Sequence, residues 1–309
     1  MKGVLLAMLG LAMFSANIML TRLATARLPV NTGFLITLVV NIAFASILLG
    51  IELAVRATTL RWNGEGVVYF ALAGLFATYL GRWFVIEAIA RLGPAKASAF
   101  QVSSPLFTFV IALVFLGERL SLFTLAAMVI AAVGLLLVSL SGTRTTGEPP
   151  PPGDRRGARD RVRSWVRSGL VIGMTSSAAY GVGNVMRGAG VRAWDEPVAG
   201  ALIGALVGLA LHLTFGSGHA DVVRGLRTAH RGGLALFGLS GVLTICAQMV
   251  VISAMKYAPV SIVALITLCT PLLVFPMSYF LLKNDEGINP RTLLGAALTL
   301  AGIGMIVVH

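Results

Sequence analysis

The sequence predicts an all-α membrane protein of about ten transmembrane helices, arranged as two inverted five-helix repeats. Three observations lead to this prediction. First, the 309-residue chain is 57% hydrophobic and only 12% charged, with a mean hydropathy of +0.90, whereas roughly a quarter of residues are charged in soluble domains. Second, its apolar residues form runs long enough to span a bilayer. Third, features of the first half recur in the second at a nearly constant spacing.

The predicted spans follow from length and from helix-end signals. A spanning helix needs roughly 20 mostly apolar residues. Ser121 is placed to cap the fifth helix, and Asn289 before Pro290 has the order of an N-cap and a first helical residue. The first run follows Lys2 and also fits a signal peptide, but the internal repeat favours a mature helix. The ten runs are 3–21, 32–51, 67–90, 95–116, 121–140, 168–187, 197–215, 233–255, 259–282 and 292–308.

A polar segment at 141–167 divides the chain. Four consecutive prolines from Pro149 to Pro152 prevent a helix. We therefore predict a solvated linker between a first repeat at 1–140 and a second at 168–309, with its arginines available to anionic membrane lipid. These arginines are Arg155, Arg156, Arg159, Arg161, Arg163 and Arg167.

Five pairs of residues recur between the halves at offsets of 165 to 168 residues. They share local context, such as a Ser or Thr before the proline and a Glu in the turn that follows. A duplication explains them, and five crossings per half make the second half enter from the opposite side, as in many secondary transporters. The pairs are Asn17 and Asn184, Pro94 and Pro259, Pro105 and Pro271, Glu118 and Glu286, and Gly134 and Gly302.

A more specific resemblance lies in residues 92–137, which contain a helix with a central proline, the turn LGER and a helix rich in small residues. This segment, and its counterpart at 257–306, resemble the EamA-type family of the drug/metabolite transporter superfamily. The turn KNDEG of the second half departs from the family's glycine–glutamate pattern. The resemblance implies an inner-membrane (plasma-membrane) carrier without a prosthetic group. It implies export or exchange of amino acids, other metabolites or nucleotide-linked sugars by alternating access; a drug or cation carrier of the same superfamily is the further alternative.

The third run carries the charges that point to a substrate site. Arg82 lies nine residues before Arg91, roughly 13 Å deeper at about 1.5 Å per residue. A charge at that depth costs at least ~3 kcal/mol on insertion scales. At about 100° per residue, Tyr79, Arg82, Trp83 and Glu87 share an arc of about 140°. This face suits an amphipathic or carboxylate-bearing solute.

Two roles follow for the charged pair. We predict that Arg82 binds an anionic group of a small-molecule substrate and that Glu87, the one carboxylate inside a predicted span, carries a coupling proton. Five residues separate them, which is outside the geometry that pairs side chains on one helix. The alternative is that Arg82 is neutralised from another helix and Glu87 reaches the interface near Arg91.

Polar residues of other spans complete the predicted site. The two asparagines hold equivalent places in the first helix of each half, where interhelical hydrogen bonding is an equally good explanation. Pro105 and Pro271 remove backbone donors in mid-helix and are predicted hinges or kinks. The predicted substrate-binding residues are Arg82, Trp83, Tyr79, Asn17, Asn184, Gln101 and Gln248.

Small residues recur in the fifth and tenth runs, among them Gly134 and Gly302. They let helices approach closely, either within the chain or between the copies of a homodimer.

Other classes of protein find little support. The sequence has no G-x-S-x-G, H-E-x-x-H, P-loop or dinucleotide motif, and its four histidines lack metal-ligand spacing. Its basic residues do not interleave with aromatics as in nucleic-acid binders. A channel would favour rings of charge or a filter motif. We therefore expect no enzyme, no cofactor, no metal and no nucleic-acid partner.

Orientation is left open by two conflicting signals. Most Lys and Arg residues fall in loops after odd-numbered helices, which places those loops in the cytoplasm and both termini outside. The family resemblance implies both termini inside. In this assignment Arg187 and Arg192 are loop residues.

Overall fold

Ten helices form the described part of the chain in this computed structural model. It describes residues 1–25, 27–28, 30–56, 59–84, 101–141, 158–215, 231–270, 272–274, 277 and 290–308, and no strand occurs among them. The all-α prediction is therefore confirmed. The helices are α1 (Lys2–Thr25), α2 (Val30–Arg56), α3 (Gly64–Phe84), α4 (Ser104–Phe115), α5 (Leu122–Ser141), α6 (Ala158–Ala193), α7 (Pro197–Phe215), α8 (Arg231–Ala254), α9 (Val260–Leu268) and α10 (Pro290–Val308).

Five of the described helices, α1, α2, α3, α7 and α8, are long and apolar enough to cross a membrane. Helices α4, α5 and α10 contain shorter apolar stretches, and another begins with α9 at Val260. Because most of these helices also present large apolar side chains on the outside of the bundle, their composition suits a lipid environment. The described helices have the form of a multi-pass membrane protein.

Helix α6 extends beyond both ends of the span at 168–187. Its 36 residues cover about 54 Å, more than the roughly 30 Å hydrocarbon core. The segment from 158 to 167 is helical. The proline run ends at Pro152, so no proline prevents a helix there. At the other end α6 contains Arg187 and Arg192, so their assignment to a loop is wrong. No proline interrupts this stretch, and Gly188 packs against Val260.

Two predicted helix ends are present. The backbone N–H of Thr124 donates a hydrogen bond to Ser121 Oγ at 3.1 Å, so Ser121 caps α5 as predicted. Helix α10 begins at Pro290, which is the predicted first helical residue, while Asn289 lies outside the described residues.

The packing of the helices is symmetric when the halves are exchanged. Helix α1 packs on α8 as α6 packs on α3, and α1 packs on α9 as α6 packs on α4. Helix α2 also packs on α8 as α7 packs on α3, and three further contacts pair equivalent helices: α2 with α7, α4 with α9, and α5 with α10. This pattern is that of two five-helix repeats around a pseudo-two-fold axis.

The relative direction of the two repeats can be determined at one end of the bundle. This end contains Glu118 and Tyr257 and is called the Glu118 end. Lys2 at the start of α1 donates a hydrogen bond to the Tyr257 hydroxyl at 3.3 Å. Arg192 at the close of α6 pairs with Glu118 at 2.9 Å, and Glu118 accepts from the backbone N–H of Val260, three residues after Tyr257. Since α1 starts where α6 finishes, the two repeats are inverted, as predicted.

Small residues bring α5 and α10 into backbone contact. A Cβ at Gly134 would lie 2.5 Å from the backbone nitrogen of Thr299, and one at Gly302 would lie 2.6 Å from the carbonyl oxygen of Ala127. These small residues are therefore used within the chain. A homodimer stays a prediction.

We expect Gly302→Ala to lower the free energy of unfolding by about 1–3 kcal/mol, since the new Cβ meets backbone atoms and an overpacked contact forces the helices apart. Gly304→Ala is the matched control, because a Cβ there has no atom within 4 Å. Alanine is preferred over glycine in a helix by roughly 0.5–1 kcal/mol, so this control should be neutral or stabilising. Thermal unfolding in detergent measures both, and equal effects would mean that the α5–α10 contact can adjust.

Candidate functional site

Helix α3 changes its geometry just before Arg82. Residues Gly74–Gly81 form π-helical turns, which occur frequently at functional sites. The glycines at the two ends of this segment approach other helices closely. A Cβ at Gly74 would lie 2.8 Å from the carbonyl oxygen of Gly204 in α7, and one at Gly81 would lie 3.0 Å from the Tyr180 ring in α6. The segment is thus held between α6 and α7.

Arg82 points towards neighbouring helices. Its guanidinium lies over the Phe34 ring of α2, 4.1 Å from the ring centroid. The Phe34 ring is in turn nearly perpendicular to the His212 ring of α7, and the two ring centroids are 5.0 Å apart. Arg82 is half-buried. Within the described ranges no carboxylate forms an ion pair with it. A cation–π contact contributes up to about 2 kcal/mol when desolvated, which leaves the cost of the buried charge only partly offset.

A polar face of α6 continues from Arg82 towards the Glu118 end. Tyr180, Asn184 and Arg187 recur at spacings of four and three residues, so they share one face. Arg187 Nη1 lies 3.5 Å from Asn184 Oδ1, and the Tyr180 ring lies against Gly81, the residue before Arg82. All three α6 side chains are half-buried. The structure therefore brings Asn184 into a site that also contains Tyr180 and Arg187.

Sequence reasoning missed Tyr180 and Arg187. Hydropathy ends the sixth span at 187, which placed Arg187 at a helix edge. The helical spacing from Asn184 was the available signal, because a residue three positions further on shares its face.

Gln101 reaches the same region through a hydrogen-bonded chain. Its Nε2 donates to Ser176 Oγ at 2.9 Å, and Ser176 Oγ donates to the carbonyl oxygen of Gly81 at 2.9 Å. Ser176 thus satisfies a carbonyl at the last π-helical residue of α3. This chain places Gln101 beside the residue that precedes Arg82.

The two predicted aromatic residues differ in their surroundings. Tyr79 is 8% exposed and Trp83 is 52% exposed, although their ring centroids are 5.8 Å apart. Tyr79 is therefore enclosed by the bundle, whereas about half of Trp83 is exposed on its outside. Glu87 lies outside the described residues.

Asn17 and Gln248 belong to the equivalent helix pair, α1 and α8. Ser240 Oγ donates to Asn17 Oδ1 at 2.5 Å, and Thr21 Oγ1 lies 3.0 Å from Ser240 Oγ. Asn17 thus takes part in interhelical hydrogen bonding. Gln248 is half-buried. Among the described residues no hydrogen bond, ion pair or ring contact joins either residue to Arg82.

The duplication has therefore produced two equivalent helix pairs with different chemistry. The α3–α6 pair carries Arg82 and Arg187, whereas the described contact between α1 and α8 contains hydroxyl and amide groups. An anionic ligand could therefore pair with cationic side chains on the α3–α6 side.

Both halves have an irregular backbone at equivalent positions. Val102 and Ser103 form a turn before α4, which has Pro105 in its first turn. In the second half a turn falls at Cys269, 166 residues after Ser103. Val102 and Cys269 pack in one apolar cluster. Pro271 lies outside the described residues, and a hinge at either proline stays a prediction.

No group of three or more His, Cys, Asp or Glu residues that could hold a metal ion occurs in the described part of the chain.

Comparison with known proteins assigns the family. A model described as the EamA-like transporter family matches residues 1–140 and 167–308. No curated protein matches the sequence. A solved crystal structure has a TM-score of 0.71 at 18% identity, covering 99% of this chain and 96% of that chain, which shows a shared fold. Because the family model matches both halves and most of the chain, the chain belongs to the EamA-like transporter family.

Proposed function

We propose that this protein is a secondary transporter that exports or exchanges a small metabolite by alternating access in the inner (plasma) membrane, with Arg82 binding an anionic group of the substrate. Membership of a transporter family supports the transport activity. The observation that carries the finer proposal is the half-buried Arg82 guanidinium over Phe34, without a carboxylate partner among the described residues.

The substrate supplies what the site lacks. A buried charge is retained where it has a partner or a function, and a carboxylate or phosphate of the substrate would complete the pairing of Arg82. Amino acids and related metabolites carry such a group, and Trp83, the residue after Arg82, offers exposed aromatic surface, with the enclosed Tyr79 packed beside it. The same cation makes a cationic drug a poor ligand, because like charges repel in a site of low dielectric constant.

The architecture suits alternating access. Inverted repeats allow one half to rock against the other around a site at their interface. The contact between α3 and α6 joins the two repeats, and it contains Arg82, Gln101 through Ser176, and Asn184 through Arg187. In this proposal Asn17 and Gln248, on the equivalent α1–α8 pair, line the path from the other side.

Thermal unfolding of the purified protein with a ligand panel tests this proposal, because specific binding raises apparent stability by mass action. The panel contains amino acids, organic anions, cations and nucleotide sugars. We expect stabilisation by at least one anionic or zwitterionic class, lost in Arg82→Ala and kept in Arg56→Ala. Arg56 is the matched control, since it lies at the Glu118 end and pairs with Glu52 and Glu196.

The other results would argue against the proposal. Stabilisation that survives in Arg82→Ala would give Arg82 a structural role. A panel without any stabilising ligand would contradict the carrier itself.

A further inference from the structure

A second half-buried cation, Arg187, lies on the polar face of α6. Arg187 is half-buried, and its described hydrogen bond is a long one, 3.5 Å from Nη1 to Asn184 Oδ1. The described residues provide no ion-pair partner for it. Like Arg82 in the first repeat, Arg187 in the second repeat is therefore a half-buried cation without a carboxylate partner among the described residues.

The two arginines lie on neighbouring helices, on either side of Tyr180 in the packing of α3 against α6. Gly81 lies against the Tyr180 ring, so Arg82 is level with Tyr180 along the bundle. Arg187 follows Tyr180 by seven residues, which is about 10 Å along the axis and nearly the same angular position on the helix. The Tyr180 hydroxyl donates no hydrogen bond to any residue that the structure describes.

The positive charges of Arg82 and Arg187 limit which kind of ligand can bind beside them. The carboxylates paired in the described structure, Glu52, Glu118, Asp195 and Glu196, pair with Arg56, Arg192 and Lys256 at the Glu118 end. Neither Arg82 nor Arg187 has a carboxylate partner among the described residues, so a substrate with one anionic group would pair with only one of them. A substrate with two anionic groups neutralises both.

We propose that Arg187 is a second anion-binding residue of this transporter, and that its substrate is a dianion such as a short dicarboxylate or a phosphate ester, held between Arg82 and Arg187. This inference rests on the proposed function, which needs only Arg82. It names the class of substrate and adds Arg187, with the Tyr180 hydroxyl as a further donor between the two cations.

The test compares diacids with ligands that lack one charge. Succinate, glutarate and adipate are measured by thermal unfolding against their monoamides, with phenylalanine as a zwitterion. The proteins are wild type, Arg187→Gln, Arg82→Gln and the control Arg56→Gln. We expect a diacid to bind the wild type about tenfold or more tightly than its monoamide, because a hydrogen bond to a charged group contributes at least that factor. Arg187→Gln should remove this preference without weakening the monoamide, and Arg56→Gln should keep it.

Arg187→Lys controls for the possibility that Arg187→Gln loses the preference because it fails to fold. It retains the charge but not the planar fork of donors, so the diacid should still bind more tightly than the monoamide, with lower affinity than in wild type.

Three results would overturn the inference: equal binding of diacid and monoamide by the wild type, an unchanged preference in Arg187→Gln, or no stabilisation by any diacid. If monoamides or zwitterions still required Arg82, the proposed function would stand and only the second site would fail. If no ligand required Arg82, both would fail.

Discussion

Glu118→Ala is expected to lower the free energy of unfolding by about 3 kcal/mol, because it removes four hydrogen bonds from a buried carboxylate. Glu118 accepts from the backbone N–H of Val260 at 2.7 Å, and from the backbone N–H and hydroxyl of Ser261 at 3.4 and 2.8 Å. Its fourth partner is Arg192 at 2.9 Å. The carboxylate of the first repeat therefore caps α9 of the second.

Most of this effect comes from α9 and little from the ion pair. The first backbone N–H groups of a helix have no partner within it, and each buried donor left unsatisfied costs about 1–3 kcal/mol. A negative charge also interacts favourably with the positive end of the helix dipole. The Arg192 side chain is 42% exposed, so water can replace its contact and the pair itself contributes little.

Thermal and denaturant unfolding measure this effect, with Glu196→Ala as the control at the same end of the bundle. Glu196 pairs with the exposed Arg56 at 3.3 Å, and such a pair contributes about 0–1 kcal/mol. Glu118→Gln should fall between the two, since its amide oxygen can keep the hydrogen bonds of one carboxylate oxygen, whereas its NH2 group cannot accept those of the other. If Glu118→Ala and Glu196→Ala lowered the free energy of unfolding equally, the cap would not contribute to stability.

This cap gives a physical reason for the turn LGER, which the sequence singled out only as a motif. Gly117 has a φ of +64°, a conformation that residues with a side chain rarely adopt. It turns the chain so that the N–H of Glu118 donates to the carbonyl oxygen of Ala112 at 3.2 Å. The Glu118 side chain is then directed at α9. A partner 142 residues away could not be inferred from the motif itself.

The helices and their inverted order could be predicted, because both depend on local properties. A spanning helix requires a long apolar run, and an odd number of spans per repeat fixes the inversion. The bounds of α6 could not be predicted in the same way. Polar residues such as Arg187 lower the hydropathy without ending a helix, and only packing against α3 and α9 shows that the helix continues.

The site could be predicted in part. A deep charge is visible in a sequence, so the position of Arg82 inside the bundle could be predicted, while its role in binding stays a prediction. Asn17 and Asn184 looked alike because their local sequences are alike, yet one accepts a hydrogen bond from Ser240 and the other lies beside Arg187. Their difference comes from residues of other turns and other helices, which repeat spacing does not show.

The second large effect expected is that Arg82→Gln makes the ligand-free protein more stable while it lowers transport about a hundredfold. Losing the guanidinium removes a desolvation cost of at least ~3 kcal/mol and forfeits a cation–π contact of up to ~2 kcal/mol. The balance is a gain of about 1 kcal/mol in the free energy of unfolding. Transport falls because a charge-assisted contact with the substrate contributes about 1.5–3 kcal/mol, and a bidentate contact more.

These opposite signs separate a binding residue from a structural one. Thermal unfolding without ligand and uptake into proteoliposomes, with the substrate that the ligand panel identifies, measure the two effects. Phe34→Leu is the matched variant, because it removes the ring under Arg82 and keeps the charge. It should therefore lower stability and retain more transport than Arg82→Gln. If Arg82→Gln instead destabilised the protein and transported normally, the guanidinium would be satisfied by the protein itself and the substrate would bind elsewhere.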